Sequence, residues 1–246
     1  MSPGYAAYFD ASGHPDQQKV MTVAGFVSTM KKWTRFDLEW NAVLKDEGIH
    51  IFHMTDFASS QGEFLGWKRE SDRRRVFIER LVQCLRKNVN KAFRTSLLID
   101  DFNEVNAVFR LEETMGRPYA VCGTLCLYSV GVWAKGKNAE GQLRCYFEDG
   151  DKDKENFETR AKAWGKFTPM FMSKEQAVAF QACDFSGWKY RTSITNSLAD
   201  DHTPEKGLRL LESVAALRAI PSKGGAGVLN RDSLFAFCRL FDVAPR

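Results

Sequence analysis

Cysteine and histidine are scarce in the patterns that metal or redox chemistry needs. The six cysteines, Cys84, Cys122, Cys126, Cys145, Cys183 and Cys238, form no C-x-x-C pair, which argues against a zinc knuckle or a dithiol redox centre. Most have apolar neighbours, the setting of reduced, buried thiols. Of the four histidines, His50 and His53 make an H-x-x-H, but that neighbourhood offers too few further ligands for zinc. No apolar run is long enough to span a bilayer, so no membrane association is expected. The first ten residues lack the basic and apolar regions of a secretory signal. A cytoplasmic protein is the resulting expectation. Lys223-Gly224-Gly225-Ala226-Gly227 lacks the spacing and closing Gly-Lys-Ser/Thr of a phosphate-binding loop, and no G-x-S-x-G elbow occurs. Internal repeats and low-complexity tracts are also missing.

What is present is an ordinary soluble composition, 44% hydrophobic and 27% charged over 246 residues, enough to build a full core in one large domain. The formal net charge of +4 permits a nucleic-acid partner without demanding one. Tyr5–Asp10 reads as a strand stopped by Ala11-Ser12-Gly13, and Val20–Ser28 as a second strand paired to it in a hairpin. Trp33–Lys45 repeats its apolar residues at helical spacing. Ile49–Met54 reads as extended, and the polar stretch to Lys68 as a loop or broken helix. Ser71–Lys87 forms an amphipathic helix. Strands follow at Lys91–Ile99, Leu143–Glu148 and Phe167–Met172. Helices are expected after Asp101, from Pro118 to about Ala134, over Glu155–Trp164 and, capped by Ser173, over Glu175–Tyr190. Residues 204–220 and 232–241 read as closing helices, joined by a Ser222–Gly227 loop. This order implies an α/β fold: a mixed five-stranded sheet with flanking helices and a helical insertion, about residues 32–88, after the second strand. Residues 1–200 would form the domain, and 201–246 a C-terminal helical extension packed on it.

Three acids stand out by location. Asp10 closes the first strand and Glu148 the fourth. Asp184 sits mid-helix in the apolar run Phe180-Gln181-Ala182-Cys183-Asp184-Phe185, where a carboxylate must be paired, exposed on a narrow face or bound to a cation. If the first and fourth strands are parallel neighbours, their carboxyl ends lie together, at the edge where open α/β sheets place their sites. Three such acids with no compensating arginine would repel one another, and magnesium or manganese would resolve that repulsion with hard oxygen ligands. Each acid also has a plain reading, since turns begin where strands end and Asp10 can cap its own turn. Gln181 lies three residues before Asp184 and shares its helix face.

YFDASG, the strand VMTVAGFV, IFHMTDF, FEDGDK and FQACDFSGW, in that order across residues 5–190, resemble the domain-of-unknown-function 3800 family. The resemblance implies a ribonuclease-H-like fold and nuclease chemistry at carboxylate-bound metals. It matches Asp10, Glu148 and Asp184 to the catalytic, metal-holding acids. Ala11 stands where that family often has Glu. In a two-metal scheme Asp10 would bridge the ions, with Glu148 and Asp184 holding one each. Asp56 is the best candidate for a fourth ligand, and Asp149 or Asp151 are alternatives, Asp151 being expected to face solvent. His53 could orient a carboxylate or contact phosphate, against partial burial beside the sheet. Ser12 could donate to phosphate or to Asp10, against simple turn formation. Lys68, Arg69, Arg73, Arg74 and Arg75 form a basic cluster that fits either nucleic-acid backbone or a solvated helix face, and Trp67 beside it could stack on a base. Lys189 and Arg191 could add to the groove. The leading expectation is therefore a divalent-metal-dependent phosphodiesterase acting on DNA or RNA. The alternatives are a non-catalytic ribonuclease-H-like module that binds nucleic acid or a protein partner, and a phosphoesterase for small phosphates.

Overall fold

The computed structural model describes residues 4–14, 18–151, 153–164, 168–198, 226–240 and 242–245. Strands β1 (Tyr5–Ser12) and β2 (Val20–Thr29) form an antiparallel hairpin. The insertion follows as α1 (Met30–Asp46), α2 (Met54–Ser59), two single 3-10 turns at Gly62–Phe64 and Trp67–Arg69, and α3 (Ser71–Asn88). Then come β3 (Lys91–Leu98), α4 (Ile99–Val108), α5 (Leu111–Met115), α6 (Pro118–Lys135), β4 (Leu143–Glu148), α7 (Lys154–Trp164), β5 (Met170–Met172), α8 (Ala179–Leu198), β6 (Ala226–Leu229) and α9 (Arg231–Leu240).

The sheet order is β5-β4-β1-β2-β3-β6. Strand β2 runs antiparallel to both β1 and β3, while β4 is parallel to β1 and β5 parallel to β4. Strands β1 to β5 thus form the mixed five-stranded sheet expected from the sequence, with β5 at one edge. The sixth strand corrects the expected count. Ala226–Leu229 pairs parallel with β3, although its glycine-rich approach reads as a loop. Backbone pairing at an open edge decides this segment, and side-chain pattern carries little of the signal. The helix expected over 204–220 lies outside the described residues.

Two cores flank the sheet. On one face α6 and α7 pack against Ala7, Phe9, Val23 and Phe93. On the other, the insertion and α8 pack against Ala6 and Phe26. Alternation along β1 assigns its side chains: Ala7 and Phe9 to the first core, Ala6 and Tyr8 to the second. The α1 stripe of Trp33, Phe36, Trp40, Val43 and Leu44 is buried as its spacing demands. The Thr29 side chain caps that helix by accepting from Lys32 N–H at 3.3 Å. Phe52, Phe57, Phe64, Trp67 and Phe77 form a tilted and edge-on aromatic cluster under α3, each such pair contributing about 0.5–1.5 kcal/mol beyond burial. All six cysteines are free and buried. Among the described residues, no helix is long and apolar enough to cross a membrane.

Candidate functional site

The site begins with strand register. Tyr8 of β1 is the partner of Tyr146 in β4, and their rings stack at 5.0 Å. Two residues on, on the same pleat face, come Asp10 and Glu148. Parallel pairing therefore lays these carboxylates side by side at the strands' carboxyl ends, on the face covered by α8. That helix approaches closely because Gly187 stands against Ser12, whose Cβ would lie 3.2 Å from a Cβ built at the glycine. The approach carries Asp184, one turn earlier, over the strand ends. The Asp184 carboxylate is fixed in place by accepting the Met54 backbone N–H at 2.8 Å.

A fourth charge completes the cluster. Lys174 Nζ lies 3.5 Å from Asp10 Oδ2, 3.4 Å from Glu148 Oε1 and 3.6 Å from Asp184 Oδ2. Asp10 is buried, and its Oδ2 has no hydrogen-bond partner. Burial pushes the Asp10 carboxyl well above the ordinary carboxylate range; the nearby Glu148 carboxyl adds to this and Lys174 opposes it. Burial would lower the Lys174 ammonium, but the attraction of Asp10, Asp184 and Glu148 outweighs it and holds the group charged. The three acids, expected to converge without a compensating arginine, share a lysine from the turn before α8. The expected helix start at Glu175 is corrected. Gln176 Oε1 accepts Ser173 N–H at 2.8 Å and Gln176 N–H donates to Ser173 O at 3.1 Å. These bonds close a turn over 173–176, and the helix begins only at Ala179.

The cluster lies in an open cavity of about 410 Å³, whose rim includes His14, Gln18, His53, Asp151 and Arg191. His53 stands half-exposed, with Nε2 3.8 Å from Asp184 Oδ2 and Nδ1 3.8 Å from Asp56 Oδ2. Ser12 Oγ accepts from Arg191 Nε at 3.0 Å, so the serine holds a guanidinium at the cavity rim. Asp151, expected in solvent, is partly buried in the cavity wall, and that burial raises its carboxyl. It accepts the Asp153 N–H at 2.9 Å, which turns it inward.

Several candidates fall elsewhere. Gln181 does not join Asp184. Its Oε1 accepts both Trp40 Nε1–H at 3.0 Å and Phe52 N–H at 2.9 Å, pinning α8 to the insertion. Asp56 is half-exposed, with His53 Nδ1 3.8 Å from its Oδ2, and is not among the cavity's lining residues. Asp149 reaches the cavity wall but pairs with Lys154 at 2.8 Å. Trp67 is corrected as a stacking surface: it is buried in the aromatic cluster, with the Arg73 guanidinium 3.9 Å over its ring. Arg74 is buried too, over the Phe57 ring and donating to Ser60 Oγ at 2.9 Å. Arg73 pairs with Glu47 and Glu70, and Arg75 with Glu79. Lys68 and Arg69 are exposed, and none of the five basic residues lines the cavity.

The donor set fits a hard divalent cation in its chemistry: three carboxylates from three elements, one carrying a buried oxygen that lacks a donor. Among the described residues, however, no group of three or more Asp, Glu, His or Cys side chains stands in a ready-made ligating arrangement. Together the sheet order and this carboxylate edge define a mixed α/β protein with an acidic site at the carboxyl ends of two parallel strands. No protein-family model matches the chain, and no curated protein matches it. Solved structures similar to it include that of the PCNA:RNase HII complex from Archaeoglobus fulgidus, with a TM-score of 0.41 and 15% identity over 88% of this chain and 91% of that one. Ribonuclease H2 from Pyrococcus horikoshii OT3 is similar with a TM-score of 0.36 and 13% identity over 97% of this chain and 99% of that one.

Proposed function

We propose that this chain is a divalent-metal-dependent phosphodiesterase acting on nucleic acid, and a member of the domain-of-unknown-function 3800 family. Asp10, Glu148 and Asp184 are its metal-holding, catalytic carboxylates, and magnesium or manganese its cofactor. The observation that carries the reading is Asp10 Oδ2, a buried carboxylate oxygen with no hydrogen-bond donor that shares one lysine with two further carboxylates. Three carboxylates against one ammonium leave the centre short of positive charge once ionised, and a bound cation supplies it. When bound, such an ion supplies Lewis-acid polarisation of a phosphodiester and a more acidic water.

The chain's own groups then have defined tasks. Asp10, Glu148 and Asp184 would hold the ion from β1, β4 and α8. The Met54 N–H keeps Asp184 in its rotamer. His53 Nε2, on the open side of Asp184, can hold or pass a proton at the rim. Arg191, steadied by Ser12, offers a planar fork to a phosphate entering the cavity. A non-catalytic module that binds nucleic acid or a protein partner is the second reading. The presence of Lys174 favours it, because that lysine already neutralises part of the acidic charge.

Cleavage of labelled single- and double-stranded DNA and RNA, in magnesium or manganese, separates the two. The wild type should cleave only with the divalent ion, and Asp10→Asn and Asp184→Asn should not cleave. Equal cleavage by the variants would sink the assignment. Binding of a polynucleotide without cleavage would leave the module. Hydrolysis of small phosphate esters alone would replace the polynucleotide substrate.

A further inference from the structure

We propose that the ammonium of Lys174 holds the place of one divalent ion at the carboxylate centre, so that the protein takes one divalent ion fewer than the same three carboxylates would take without it. The inference builds on the metal-centre reading above and sets its charge balance. Its basis is geometric. One oxygen from each of three elements lies within 3.4–3.6 Å of a single nitrogen. These separations exceed the roughly 2.7–2.9 Å of a tight charge-assisted hydrogen bond. The ammonium is therefore shared by all three carboxylates and committed to none, as a counter-ion is. It is also deliberately placed: its side chain is 12% exposed, and the Ser173–Gln176 turn fixes the stem that delivers it.

Charge decides how many ions can join it. Ligation to a divalent ion requires all three carboxylates in their ionised form; they then carry three negative charges, and Lys174 leaves two, which one divalent ion balances. Two divalent ions beside the ammonium would leave the centre doubly positive, at a large desolvation cost, whereas without the ammonium a second ion leaves it no further from neutrality than one ion does. Asp10 Oδ2, without a hydrogen bond, is the donor left over for the one ion. A lysine suits this role better than an arginine, being a compact point charge with no planar fork to satisfy.

Calorimetric titration of manganese into metal-free wild type, K174M, K174Q and the double variant D10N/K174M tests the proposal. K174M and K174Q should bind one more ion per chain than the wild type. D10N/K174M, which removes a negative charge together with the positive one, should return to the wild-type number. Metal-free K174M should melt about 5 °C or more below the wild type, and saturating manganese should recover the loss. K174Q and the double variant keep the count readable if K174M does not fold. Equal stoichiometry in the wild type and both lysine variants would overturn the proposal. So would a melting loss that manganese does not recover, since that marks a purely structural lysine. If the wild type binds no ion and K174M binds one, the lysine inference stands and the metal-dependent reading fails. If all bind the same non-zero number, the reverse holds.

Discussion

The acidic centre at the ends of β1 and β4 and the basic cluster at the start of α3 are the two densest concentrations of charge discussed above, and they are built in opposite ways. In the basic cluster the three guanidiniums on α3 are each matched. Arg73 pairs with Glu47 and Glu70 and covers Trp67; Arg75 pairs with Glu79; Arg74 is buried over Phe57 and bonded to Ser60. In the acidic centre three carboxylates divide one ammonium, and an Asp10 oxygen has no hydrogen-bond donor. Charge density alone therefore does not mark a site. A buried imbalance between donors and acceptors does, because the fold bears its cost without return in stability.

The largest effect expected from breaking this contrast lies at Asp10. Asp10→Asn should lower divalent-dependent hydrolysis by more than the roughly 10–100-fold typical of outer-shell partners, in kcat/KM. It should leave the metal-free melting temperature unchanged or higher, since burial already disfavours the ionised carboxyl that the amide replaces. A parallel loss of stability and activity would place Asp10 among structural residues. Next comes Gln181, a polar residue of the same helix whose acceptor is fully used. Gln181→Leu strands two buried N–H donors, from Trp40 and Phe52, and should cost about 2–5 kcal/mol in denaturant unfolding. A cost under about 0.5 kcal/mol would show that α8 is anchored otherwise. Arg74→Ala should cost about 1–3 kcal/mol through a lost buried bond and ring contact, with specific activity per folded molecule unchanged. A fall in polynucleotide affinity at unchanged stability would restore the cluster as a binding surface.

The smallest effect sharpens the rule at a third place. Asp37 on α1 is half-buried, and burial raises its carboxyl to about 6. A carboxyl raised on folding binds more protons in the folded state than in the unfolded one. Its contribution therefore weakens stability as pH rises from the ordinary Asp range, about 4, through about 6. Melting curves across that window should show a downward slope that Asp37→Asn reduces. An unchanged slope would show that other groups set it.

How much of this was legible in the sequence differs residue by residue. Helical spacing located α1 and α3, because burial imposes that period directly, while β1 and β2 were legible as apolar runs bounded by turn residues and α6 from Pro118 at its start. Asp10, Glu148 and Asp184 were legible as a set, since strand ends and an acid in an apolar helix are local features. Lys174 was not, as its meaning lies in contacts with three distant elements, and Ser173 beside it imitated a helix cap. Trp67 misled because its polar neighbours hid two 3-10 turns that fold it inward. Gln181 shares a helix face with Asp184 by spacing, but spacing does not reveal that α1 and the Phe52 backbone already claim its oxygen. Strand β6 depends on an open edge of β3, which no local pattern announces.

The central claim is that the carboxylate edge is a cation site beside Lys174. Anomalous diffraction from crystals grown with manganese tests it most directly. The account predicts a manganese peak bound by oxygens of Asp10, Glu148 and Asp184, with Lys174 still alongside. Well-ordered carboxylates with no anomalous peak, and Lys174 still shared among all three, would contradict it.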